Sequence, residues 1–216
     1  MRVDSIVRGQ LPILLAAGLA LLASGSARTQ EGQPTEDGRH LQVTSDTFTA
    51  GATLPLSAIF NNPVNGINTC TPDGAAGGDE SPQLSWHRVP RETRSFVVIL
   101  YDTTAAFTHW GMYNIAAQVR ALPQNAGRAG SPFGPQVVND FGDPHYDGPC
   151  PPANLTPLAH HYVFSVYALD RELSVDSLPH FPANAETLYH ALIAAAREGH
   201  VLASGNLTGL YSSTPQ

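Results

Sequence analysis

The 216-residue chain carries 18 acidic and 11 basic residues, for a formal net charge of -7, and every basic residue is arginine. A chain this acidic does not draw nucleic acid or an anionic membrane by its bulk field. Without lysine there can be no P-loop lysine, no Schiff-base lysine and no Ser-Lys dyad.

The N-terminus opens with Arg2 and Arg8, continues as an apolar run from Leu11 to Ala23, and reaches small residues at Ser24-Gly25-Ser26-Ala27 before the polar Arg28-Thr29-Gln30-Glu31. That order predicts a cleavable secretory signal over residues 1–27. The apolar run is shorter than the roughly 20 residues a spanning helix needs. Residues 28–40 are polar and read as a flexible leader. Residues 41–216 suffice for one domain with its own core, expected in the periplasm or secreted. No later stretch is long and apolar enough to be an integral membrane segment. In an exported chain the two cysteines, Cys70 and Cys150, point to a disulfide.

From Leu41 the texture is that of short strands. Leu41-Gln42-Val43-Thr44 alternates and predicts an edge strand, and Leu54 to Phe60 alternates in part. Asn61 to Ser81 is dense in Asn, Gly, Pro and Asp and reads as loop. Ser95 to Tyr101 (SFVVILY) and Tyr162 to Leu169 (YVFSVYAL) are apolar without clean alternation, which predicts strands covered on both faces. His109 to Ile115 is a third expected strand. Pro123 to Pro157 is a long aperiodic stretch of the kind that carries function. Asn184 as N-cap, Glu186 in the first turn, Leu188, Leu192 and Ala195 at helical spacing, Arg197 and a Gly199 stop predict one helix. His200 to Leu210 returns to strand texture. The fold class expected from these runs is mostly β, with one or two C-terminal helices.

No G-x-S-x-G elbow, H-E-x-x-H or G-x-G-x-x-G occurs. Polar residues instead gather at the ends of the apolar runs. Asp102 ends the first, His109 and Trp110 begin the next, and His160, His161 and Tyr162 open the last. Taken singly, these are ordinary turn and strand-end residues.

Their local sequences say more. Ser81-Pro82-Gln83-Leu84-Ser85-Trp86, Tyr101-Asp102-Thr103-Thr104-Ala105-Ala106, Thr108-His109-Trp110, Tyr113-Asn114-Ile115, Asn139-Asp140-Phe141-Gly142, Gly148-Pro149-Cys150-Pro151-Pro152 and His160-His161-Tyr162-Val163-Phe164 follow in that order. The set resembles the phosphatidylethanolamine-binding protein family, in particular its bacterial Raf kinase inhibitor-like branch, over roughly Leu41 to Tyr211. The resemblance implies a β-sandwich-like fold with a small anion-binding pocket near one end. It implies Asp102, His109, His160 and Tyr162 as ligand-binding residues and Pro149, Pro151 and Pro152 as a pocket wall. It also supports a bridge between Cys70 and Cys150. The implied ligand is a small anionic or zwitterionic group of the phosphate or phospholipid-headgroup type, with a kinase or protease partner for some members as inhibitors, and no cofactor is called for. The sequence departs from the family's D-P-D-x-P segment, which is Asp102-Thr103-Thr104-Ala105-Ala106 here, and from H-R-Y, where His161 replaces the arginine. A competing expectation is a metal-dependent hydrolase with Asp102, His109 and His160 as ligands. A third is a purely structural envelope protein.

Overall fold

The computed structural model describes residues 39–174 and 184–214. The expected signal at residues 1–27 lies outside them, as does the leader up to residue 38.

The run SFVVILYD forms β5, Ser95–Asp102, and is buried along almost its whole length. Its even positions, Phe96, Val98 and Leu100, join one apolar cluster, and its odd positions, Val97 and Ile99, join another. Two covered faces explain the missing alternation. β5 lies between β6 (Phe107–Ala116) and β8 (His160–Leu169), and β8 pairs in turn with β9 (Val201–Tyr211), giving an antiparallel four-stranded sheet in the order β6-β5-β8-β9. The second sheet is small: β1 (Gln42–Thr44), β4 (Leu84–His87) and β7 (Ala121–Leu122), in the order β1-β4-β7. Trp86 of β4 packs on Phe96 at 5.2 Å between ring centroids, in the cluster that also takes in Trp110, Met112, Tyr162 and Phe164 of the large sheet. The two sheets therefore share a core, as the sandwich expectation required.

The other face of the large sheet is covered by α1, Ala185–Arg197, through Leu188, Leu192 and Ala195. Asn184 caps it by accepting from the Thr187 amide, while the Thr187 hydroxyl accepts from the Asn184 amide, closing a reciprocal box. Gly199 follows at φ 82, a left-handed conformation that suits a residue without Cβ. Among the described residues this is the one α-helix near the C-terminus.

Two expectations need correction. Leu54 to Phe60 is not a strand: Leu56–Ala58 forms a 3₁₀ turn behind Pro55. The loop between Asn61 and Ser81 contains a short hairpin of β2 (Pro63–Val64) and β3 (Ile67–Asn68), turned by Asn65 and Gly66, both at positive φ. An Asn-Gly pair between two short runs is the sequence mark of such a turn.

Candidate functional site

Antiparallel pairing sets Asp102, the last residue of β5, opposite Tyr162 of β8 and Phe107 of β6. Asp102 continues the even series of β5, so its side chain points to the inter-sheet side. His160 stands two residues before Tyr162 and so shares its face. His109 arrives differently. Leu100 pairs with Trp110 and Tyr101 with Thr108, so His109 is the extra residue of a β-bulge. Such a bulge re-aims a side chain, and here Phe107 and His109 face the same cavity.

That cavity has a volume of about 240 Å³ and is lined by Asp102, Ala105, Phe107, His109, Phe141, Cys150, Pro151, Pro152, His160 and Tyr162. The four polar residues expected from the sequence therefore meet in one place. Pro149 does not join them. It is buried behind the wall, where its carbonyl accepts from the Phe60 amide, and its neighbours Pro151 and Pro152 face the cavity. Cys150 is bonded to Cys70, which lies fully buried beneath it. Gly148 starts the wall, and a Cβ there would stand 2.1 Å from the Ala58 carbonyl oxygen. Only glycine allows the wall so close to the 3₁₀ turn.

The polar atoms have defined roles. Asp102 is 2 % exposed. Its Oδ1 accepts from the amides of Thr104 and Ala105 at 2.8 and 3.1 Å, and its Oδ2 accepts from His160 Nδ1 at 2.6 Å. The carboxylate thus shapes the turn that follows β5 and fixes the His160 tautomer. His109 donates from Nδ1 to the Asp147 carbonyl at 2.9 Å. In both rings Nε2 remains as the nitrogen available to a ligand. Burial lowers the His109 pKa; the Asp147 carbonyl, Asp102, the Gly148 backbone and Asp140 counter it less. His109 is accordingly neutral at pH 7, and its Nε2 is an acceptor there. The Tyr162 hydroxyl is buried beside the Asp102 carboxylate, outside ordinary hydrogen-bond geometry. Burial, and then the neighbouring Asp102 carboxylate, push its pKa far above the ordinary phenol range. It therefore stays protonated and able to donate.

Residues beyond the expected set complete the site. Asn139 organises the loop behind it: its Oδ1 accepts from the amides of Phe141, Gly142 and Asp143, and its Nδ2 donates to the carbonyls of His109 and His145 and to Asp147 Oδ2. Phe141 stacks on Phe60 at 4.9 Å and meets Phe107 edge-on at 4.8 Å. Asp143, His145 and Asp147 bring one ligand-type atom each within 4.8 Å of one another, the only such group of three among the described residues. The expected metal trio of Asp102, His109 and His160 is not such a group among the described residues.

Residues 44–212 match the family described as phosphatidylethanolamine-binding protein. The chain belongs to the phosphatidylethanolamine-binding protein family. Its relatives include the UPF0098 protein YbcL of Escherichia coli, 40% identical over 145 residues that make up 63% of this chain and 73% of YbcL. A UPF0098 protein of Aquifex aeolicus is 34% identical over 178 residues, 81% of this chain and 90% of that one. The crystal structure of E. coli YbcL, described as a new member of the mammalian PEBP family, aligns with a TM-score of 0.62 and 32% identity over 80% of this chain and 98% of YbcL. Membership makes this a binding-protein fold, and these comparisons lend no support to a hydrolase. The Thr104 hydroxyl accepts from the His161 amide at 3.1 Å, so this residue ties the turn to β8.

Proposed function

We propose that this protein is an exported binding protein for a small phosphate-type anion, free or as a headgroup, held without turnover in the cavity between Asp102, His109 and Tyr162. The observation that carries the reading is the convergence on one small volume of the Nε2 atoms of His109 and His160, which donate once their rings take up a proton, and the protonated hydroxyl of Tyr162. No arginine lines the cavity. Anion affinity then rests on imidazolium and hydroxyl donors, which makes it weak and dependent on proton uptake at His109. Asp102 does not oppose the anion strongly, because its charge is spent on two amides and His160. An inhibitory role would require a protein partner outside the cytoplasm.

Calorimetric titration with inorganic phosphate and phosphorylethanolamine tests this. His109→Ala and His160→Ala should each lower phosphate affinity by about tenfold, the loss of one charge-assisted hydrogen bond. Affinity indifferent to both substitutions would place the site elsewhere.

A further inference from the structure

The loop that leads into the wall carries metal-ligating side chains at alternate positions, Asp143-Pro144-His145-Tyr146-Asp147. Tyr146 turns inward, its hydroxyl donating to the Ala58 carbonyl at 2.7 Å. Asp143, His145 and Asp147 offer the ligand-type atoms that lie within 4.8 Å of one another. None of these three lines the anion cavity.

Two features set the group apart from an ordinary acidic loop. Asp147 is 1 % exposed, and its oxygens are unequally served. Oδ2 accepts from Asn139 at 2.6 Å, whereas Oδ1 faces His145 Nδ1 at 3.6 Å, too far for a hydrogen bond. A buried carboxylate oxygen without a donor is costly unless a cation meets it. The second feature is the imidazole. His145 Nδ1 donates to the Tyr146 carbonyl at 3.1 Å, which leaves Nε2 as the nitrogen open to a ligand. A backbone carbonyl on one ring nitrogen is a common way to aim the other at a metal. Asp143 Oδ1 stands 4.0 Å from that Nε2, and the Asp143 side chain is 53 % exposed, so water reaches the group from its side.

Charge argues the same way. Among the described residues, His145 is the one basic side chain in ion-pair range of Asp143 or Asp147. Burial pushes the Asp147 pKa up, and the neighbouring Asp79, raised to about 6 chiefly by burial, feels both aspartates. Three carboxylates around one imidazole leave negative charge for a cation to neutralise.

We propose that Asp143, His145 and Asp147 bind one divalent cation of the zinc class, with water completing its shell. A tetrahedral shell with bonds of about 2.0–2.2 Å sets ligand atoms about 3.3 Å apart. The exposed Asp143 and the half-buried His145 therefore close on the fixed Asp147 by about 1–1.5 Å. The imidazole selects a zinc-type ion over calcium, which takes oxygen ligands. The ion clamps the loop ahead of Gly148, and its binding does not depend on the anion reading above.

Calorimetry at pH 7.5 on untagged, chelator-treated protein tests this with zinc chloride and calcium chloride. Zinc should bind at one ion per chain, and calcium at least about tenfold more weakly. Asp143→Asn and His145→Ala, both at positions open to solvent, should each weaken zinc binding at least about tenfold, with ion-free melting temperatures within about 2 °C of the parent's. His200→Ala, which removes the separate histidine contact with Asp170, should leave zinc binding unchanged. Absence of zinc binding by the parent overturns the proposal. Zinc binding indifferent to both Asp143→Asn and His145→Ala also overturns it, by placing the ion at other residues. Calcium bound as tightly as zinc overturns the zinc class.

Discussion

Asp79 shows how finely single residues are set behind the cavity. It sits at φ 51, its Oδ1 accepts from the Gly148 amide at 2.7 Å, and its pKa is pushed up to about 6, first by burial and then by Asp147 and Asp143, against the Gly148 amide and His145. A carboxyl whose folded pKa is raised favours folding below its unfolded value near 3.8 and loses that contribution as pH rises through about 6. Asp79→Asn keeps the acceptor for Gly148 and tolerates the left-handed conformation. Its melting temperature should therefore exceed that of the parent at pH 8, by a margin that narrows toward pH 4. A margin constant over that range would show that the gain is conformational only. At this scale the sequence was partly legible. Asp102, His109, His160 and Tyr162 stood out because polar residues at the ends of apolar strands have few places to go. Pro149 was indistinguishable from Pro151 and Pro152 until the backbone trace showed which of the three face inward. Phe141 stood in the Asn139-Asp140-Phe141-Gly142 segment without an expected contact, since one aromatic in a loop does not reveal what it stacks on.

Among the elements, the wall from Gly148 to Pro152 depends on few backbone donors, because three of its five residues are proline. It is held by the Gly148 amide to Asp79, by the Pro149 carbonyl to Phe60, by the Ser213 hydroxyl to the Pro151 carbonyl and by the bond from Cys150 to Cys70 across 80 residues. Closing a loop of that length is worth about 4 kcal/mol in the chain-entropy account. Replacing both cysteines by alanine should lower stability by up to about that amount in a denaturant titration. It should also weaken phosphate binding, since the wall faces the ligand. Unchanged affinity would mean that the wall keeps its shape without the bridge. At the helix, Asn184→Ala removes one half of the capping box and should cost about 1 kcal/mol, a fall in melting temperature of about 2–4 °C. The helix, with its cap, charges and stop, and the long strands were readable because each local signal agreed with the next. The bulge at His109 was not, because a one-residue slip is a property of two paired strands and leaves no mark in either alone.

For the whole molecule, one sandwich end holds the cavity, and no described helix is long and apolar enough to cross a membrane. The export proposal rests on the sequence of residues 1–27, and N-terminal sequencing of the protein from the cell envelope should begin near Arg28; an intact Met1 on cytoplasmic protein would contradict it. The central claim is that an arginine-free pocket holds an anion by charging a buried histidine. His109 starts neutral, with its pKa lowered by burial, so anion binding must raise that pKa and draw in a proton. The most direct measurement is calorimetric titration with sulfate, whose own charge does not change between pH 5 and 8, repeated in buffers of different ionisation enthalpy. The account predicts affinity that strengthens as pH falls from 8 to 5, with net proton uptake on binding that disappears in His109→Ala. Affinity flat across that range, with no proton taken up, would contradict it.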